Sequence, residues 1–135
     1  MTARPSRRIA TVAVLVADYD RAIDWYRDCL RLDLLEDVAL GGGKRWVVMG
    51  TRNGGARILL ARAEGDTQQA RIGDQTGGRV FLFLETDDFG RDHAAMLAKG
   101  VAFVEEPRRE AYGTVAVFED MHGNRWDLIE PKNRA

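Results

Sequence analysis

At 135 residues the chain is long enough to bury roughly two-thirds of its unfolded surface, so a core needs neither a disulfide nor a metal. Apolar residues make up 45% and charged residues 30%, and the formal net charge is −1; this balance excludes the basic footprint of a nucleic-acid binder and gives no reason for an acidic membrane partner. Cys29 is the single cysteine, so no intrachain disulfide can form, which fits a reducing cytoplasm.

Arg4, Arg7 and Arg8 precede an apolar run over residues 9–17. The run imitates a secretory signal but is valine-rich, and an amphipathic pattern follows at once, so a buried strand explains it better. It is also too short to span a bilayer, which takes ~20 apolar residues. Asp18 suits the N-cap of a helix, because its carboxylate can accept from free N–H groups of the first turn. Tyr19, Ala22, Ile23, Tyr26, Cys29 and Leu30 then recur at helical spacing on one stripe, which makes Cys29 a small packing residue rather than a nucleophile. Three strand-like runs follow at 32–40, 44–50 and 56–62, separated by the turns Gly41-Gly42-Gly43 and Asn53-Gly54-Gly55.

The same order returns. Residues 80–86 (VFLFLET) read as a strand, and Asp87 or Asp88 caps a helix carrying Phe89, His93, Met96 and Leu97 on its stripe. Gly100 suits the left-handed residue at the helix end, and strands are predicted at 101–106, 113–119 and 124–130. The repeat gives one domain over residues 1–135 with a first βαβββ module at 9–63, a linker at 64–78 and a second module at 79–131. Val16-Ala17-Asp18 matches Thr86-Asp87-Asp88, Gly54 matches Gly123, and Leu59-Leu60 matches Leu128-Ile129.

Strand alternation assigns faces. Val12, Val14 and Val16, Leu82 and Leu84, and Trp126 and Leu128 should pack under the helices. The opposite faces carry Thr11, Ala13 and Leu15, then Phe81, Phe83 and Glu85, then Arg125, Asp127 and Ile129. That mixed surface suits a half-open pocket. Trp46, Phe81, Phe83, Tyr112 and Phe118 are candidate cleft residues for a flat or apolar molecule. His93 sits on an apolar stripe and reads as packing; His122, at a hairpin tip, reads as exposed. The Gly41–Gly43 turn joins strands and opens no helix, so it is no phosphate loop.

The segments Val12-Ala13-Val14-Leu15-Val16-Ala17-Asp18, Ala22-Ile23-Asp24-Trp25-Tyr26, Tyr112-Gly113 and Asp120-Met121-His122-Gly123-Asn124-Arg125-Trp126-Asp127-Leu128 resemble the glyoxalase/bleomycin-resistance/extradiol-dioxygenase superfamily. The resemblance implies the α+β vicinal oxygen chelate fold, in which two βαβββ modules form a curled mixed sheet around a cleft, helices outside. It also implies a homodimer. Metalloenzymes of the family hold a divalent ion through four first- and last-strand positions. Carried onto this chain these fall on Thr11, Ile58, Phe81 and Asp127, and only Asp127 is a good ligand.

The resemblance, with these donor-poor positions, therefore implies a protein that binds a small, partly apolar or aromatic molecule without the family's standard metal site, and the lone cysteine fits a cytoplasmic location. The alternative is a lyase, isomerase or dioxygenase-type enzyme with a reduced divalent-metal site, in which Glu85 and Asp127 are the catalytic carboxylates.

Overall fold

The computed structural model describes residues 3–132. The first half runs β1 (Thr11–Val16), α1 (Tyr19–Leu30), β2 (Asp33–Gly41), β3 (Lys44–Gly50) and β4 (Arg57–Arg62). A short helix α2 (Gly65–Gln69) lies in the connection. The second half runs β5 (Val80–Glu85), α3 (Phe89–Ala98), β6 (Ala102–Phe103), β7 (Arg108–Glu110), β8 (Gly113–Glu119) and β9 (Arg125–Pro131). Of the strand predicted at 101–106 only Ala102–Phe103 forms, and a further short strand, β7, follows Pro107, which has no N–H to give a ladder.

Each half makes its own sheet, in the order β1-β4-β3-β2 and β5-β9-β8-β6, with β7 also on β8. In both, the first strand runs parallel to the last and the remaining pairs are antiparallel. This α+β arrangement of two unclosed mixed sheets is the vicinal oxygen chelate fold.

The helices start as their sequence dictates: Asp18 accepts from the Arg21 N–H at 2.8 Å and Asp88 from the Arg91 N–H at 3.0 Å. Their ends differ. Gly100 has φ +83° after α3, while Arg31 takes the same left-handed region at φ 59° after α1.

One core joins the halves. Val14, Val16, Met49 and Leu60 pack with Ala22, Ile23 and Tyr26 of α1, and the cluster continues through Ala116, Phe118, Trp126 and Leu128 to Phe89 and Met96 of α3. At its centre the Tyr26 hydroxyl donates to Asp120 Oδ2 at 2.6 Å. Asp120 is buried and also accepts from the His122 and Asn124 backbone N–H groups, Asn124 Nδ2 and Trp126 Nε1, at 2.9–3.0 Å. Burial of Tyr26 itself, reinforced by the negative charge and hydrogen bond of Asp120, holds its hydroxyl well above its ordinary pKa.

The connection between the halves is docked rather than free. Gln75 accepts from the Leu15 N–H at 2.8 Å and donates to the Ala13 carbonyl at 3.1 Å, so its amide replaces a neighbouring strand at the open edge of β1. Gly73 lies against the His122 carbonyl, where an added Cβ would come within 1.8 Å.

Candidate functional site

Each sheet has one face under its helix and one face free of helices. Strand registers place the side chains of the free faces in rows. In the first half one row is Ala13, Leu59, Val48 and Glu36. In the second half the corresponding row is Phe83, Asp127 and Val117. One step along lie Leu15 and Ala61, with Trp46 beside Val38, in the first half. Glu85, Ile129, Val115 and Arg108 take the same places in the second.

The structure brings several predicted residues together. Phe83 (64% exposed) and Asp127 are register neighbours, and Glu85 stands exposed two residues further along β5. Tyr112 (55% exposed) sits in the turn between β7 and β8 beside Arg108. On the first half Trp46 is 45% exposed, and Thr11 is exposed at the start of β1 opposite Arg57.

Three predicted residues lie elsewhere. Ile58 pairs with Val12 and is buried on the helix side, bordering a groove between the halves. Its counterpart is Trp126, because Val12–Ile58 and Leu82–Trp126 are equivalent pairs. The place equivalent to Asp127 is therefore Leu59. The cause is loop length: residues 51–56 join β3 to β4 but only 120–124 join β8 to β9, so the first hairpin holds one extra residue. Phe118 is wholly buried between Phe103 and Trp126, whose rings lie 5.5 and 5.9 Å away, and it belongs to the core. Phe81 falls at a register shift between Val80 and Leu82, which turns it from strict alternation to pack partly buried against the core.

The histidines divide. His93 packs between Phe89 and Phe103, at ring distances of 5.2 and 4.5 Å. His122 is half-buried instead of exposed at its turn, because the docked connection covers it. Its Nδ1 is buried without a hydrogen-bond partner, and burial lowers its pKa against the opposing pull of Asp120.

Asp127 is the most unusual group on either face. It is only 9% exposed, and its Oδ1 is buried without a hydrogen-bond partner. Burial raises its pKa; Arg108 pulls the other way and Glu105 reinforces the rise. Arg125 pairs instead with Glu119 at 3.8 Å, and Arg57 with Glu36 at 3.9 Å.

Glu105, Arg108 and Glu110 are the site residues that sequence reasoning misses. Arg108 Nε donates to both Glu105 oxygens at 3.0 and 3.1 Å, and Nη1 donates to Glu110 at 2.8 Å. These carboxylates and Tyr112 hold the guanidinium charged. Glu105 also accepts from the Val117 N–H at 2.9 Å, which supplies a partner at the break between β6 and β7. Pro107 is the available signal: it lies between Glu105 and Arg108 and keeps a continuous ladder strand from running through this segment.

The donor set does not fit the family's metal. Thr11, Leu59, the shifted Phe81 and Asp127 offer one strong ligand among four places, and among the described residues no three His, Cys, Asp or Glu side chains gather as a metal-holding group. A groove of about 640 Å³ runs between the end of α1 and α3; Glu85 lines it and Asp127 does not.

The comparisons agree with this architecture. The model of the Glyoxalase/Bleomycin resistance protein/Dioxygenase superfamily matches residues 8–128. A protein of Shewanella frigidimarina (strain NCIMB 400) is 51% identical over 124 residues, covering 90% of this chain and 92% of its own. Among solved structures, TnmS3, an antibiotic binding protein from Streptomyces sp. CB03234, is 27% identical with a TM-score of 0.77, covering 96% of this chain and all (100%) of its own. A glyoxalase/bleomycin resistance protein from the same Streptomyces is 29% identical with a TM-score of 0.70, over 90% of this chain and 99% of its own. Among the described residues no helix is long and apolar enough to cross a membrane.

Proposed function

The chain belongs to the glyoxalase/bleomycin resistance protein/dioxygenase superfamily, and from that premise we propose that it is a metal-independent binding protein for a small, partly aromatic molecule. The observation that carries this reading is the exposure of Trp46, Phe83 and Tyr112 on or beside the helix-free sheet faces. Rings left in water on a shaped surface are what a flat ligand can cover. The donor-poor family positions support binding without a metal, and the likeness to an antibiotic binding protein supports a small organic ligand. The single shared core supports one domain of two modules, 9–63 and 79–131, joined by 64–78. The lone Cys29 and absent disulfide suit the cytoplasm.

The protein works as a homodimer in this reading. Each helix-free face is open and carries uncovered apolar groups, Val38 and Leu40 beside Trp46 on one half and Phe83 on the other. A second copy facing them would wall two clefts, and cyclic dimers are the commonest assembly. Light scattering at micromolar concentration should give twice the chain mass; a monomer overturns the dimer.

The test of binding is a thermal-shift screen of aromatic small molecules on metal-analysed, chelator-free protein. A hit should raise the midpoint with the logarithm of ligand excess, and Phe83→Ala or Trp46→Ala should weaken it. Stoichiometric metal that disappears in Asp127→Ala would overturn the metal-free reading.

Asp127 also supports a second reading, in which a buried carboxyl of raised pKa works with Glu85 as acid and base of a lyase or isomerase. Glu85→Gln should then abolish turnover with the fold intact; unchanged turnover removes Glu85 from that chemistry.

A further inference from the structure

We propose that Asn53 is a modification site: in the exposed hairpin between β3 and β4 it converts, without an enzyme, to aspartate and isoaspartate through a succinimide ring. The site lies on the groove between the halves and is independent of the binding reading.

Asn53-Gly54 is the only Asn-Gly pair in the chain. The nitrogen that must attack the Asn53 side chain is the backbone nitrogen of Gly54, and a residue with no side chain leaves that approach open. Gly54 has φ +104°, and a Cβ built on it would meet nothing within 4 Å. Asn53 is exposed, and among the described residues its side-chain amide makes no hydrogen bond. The Gly54 N–H goes to the Thr51 carbonyl at 3.2 Å, the long end of the normal range, in a turn open to water.

The chemistry needs only base and water. Base removes the Gly54 amide proton, and the nitrogen attacks Asn53 Cγ. The new N–Cγ bond closes a five-membered imide. The Cγ–Nδ2 bond breaks, and the nitrogen leaves as ammonia after taking a proton from water. A second water then opens the ring. Opening at Cγ restores the main chain and leaves an aspartate. Opening at the Asn53 carbonyl carbon leaves an isoaspartate, whose main chain runs through the side chain.

The second hairpin holds the internal control. Asn124 is 3% exposed; its Nδ2 donates to Asp120 Oδ2 and its N–H to Oδ1, both at 3.0 Å. The nitrogen that follows it belongs to Arg125, which carries a side chain and begins β9. Burial and a committed amide therefore hold Asn124 unreacted where Asn53 is free. Either product at Asn53 adds a carboxylate to the groove that Glu85 also lines. The isoaspartyl form also adds a backbone atom to a hairpin already one residue longer than its counterpart.

The full-length protein is incubated at neutral and at mildly alkaline pH and mapped by peptide mass spectrometry. The Asn53 peptide should become heavier by one mass unit, the difference between a carboxyl and an amide, and faster at the higher pH. It should separate into two isomers, one of which accepts a methyl group from an isoaspartyl carboxyl methyltransferase. The Asn124 peptide should stay unchanged over the same time, and Asn53→Gln should lose the methyl acceptance. No mass gain at Asn53 in the folded protein, whether or not urea releases it, overturns the site. Equal conversion of Asn53 and Asn124 in the folded protein overturns its structural basis, and an aspartyl product without isoaspartate overturns the succinimide route.

Discussion

The two halves share one backbone plan but put opposite chemistry on their open faces. Where the first half has Ala13, Leu59 and Val48 in a row, the second has Phe83, Asp127 and Val117. Where the first shows Trp46 beside Val38, the second shows Val115 beside Arg108. The difference extends to the hairpins. Thr51 closes the first by donating to the Gly54 carbonyl at 2.8 Å in an exposed turn. The equivalent Asp120 is buried and gathers donors from both halves. A duplicated plan thus holds one apolar wall and one polar wall, and spends its deepest polar contact on joining the two.

Breaking that joint should have the largest effect. Asp120→Ala leaves the donors of Tyr26, His122, Asn124 and Trp126 unanswered in the core, and should cost about 4 kcal/mol in urea unfolding. Thr51→Ala should cost under about 1 kcal/mol. Similar costs would mean that the hub does no more than close a turn.

Making the second wall like the first should strengthen the fold. Asp127→Leu takes away an unanswered buried acceptor and should stabilise by about 1 kcal/mol. The pH dependence gives an independent readout. Because burial raises the Asp127 pKa, the folded chain keeps that proton where the unfolded chain has lost it. Stability therefore falls as pH rises from about 4, the ordinary carboxylate value, through the raised folded value. Asp127→Leu should lose that part of the slope; an unchanged profile would place the slope in other carboxyls.

Gln75 covers the β1 edge of the first half through two hydrogen bonds. Gln75→Ala should cost about 1 kcal/mol and speed hydrogen exchange at the Leu15 amide. Protection that stays the same would show that the edge needs no cover.

The smallest effect should come at the helix ends. Arg31 holds a left-handed backbone at φ 59° in the place where the second half uses Gly100. Arg31→Gly should raise stability by about 0.5 kcal/mol, relief of strain being offset by glycine's freedom in the unfolded chain. Gly100→Arg should lower it by about 1 kcal/mol. A common sign for the two changes would break the equivalence.

The sequence by itself determined the repeated plan, because periodicity, Asp caps and glycine turns are local signals. Asp18 and Asp88 cap where their spacing demands, and Val14 and Val16 go inside as alternation requires. It also put Asp127 and Phe83 on the open faces of their own strands, since each follows from counting by twos, while their pairing needed the sheet. Only the tertiary structure decided the rest. One extra residue in the first hairpin moved Ile58 into the core and put Leu59 opposite Val48. A register shift at Phe81 and a strand that stops at Phe103, short of its predicted end, redirected side chains that uniform alternation would place otherwise. Because strand faces alternate at every residue, a slip of one reverses every side chain beyond it. Pairing partners fix that slip, and they are distant in the chain. For the same reason the Glu105–Arg108–Glu110 cluster and the unanswered oxygen of Asp127 emerge only when β7, β8 and β9 lie side by side.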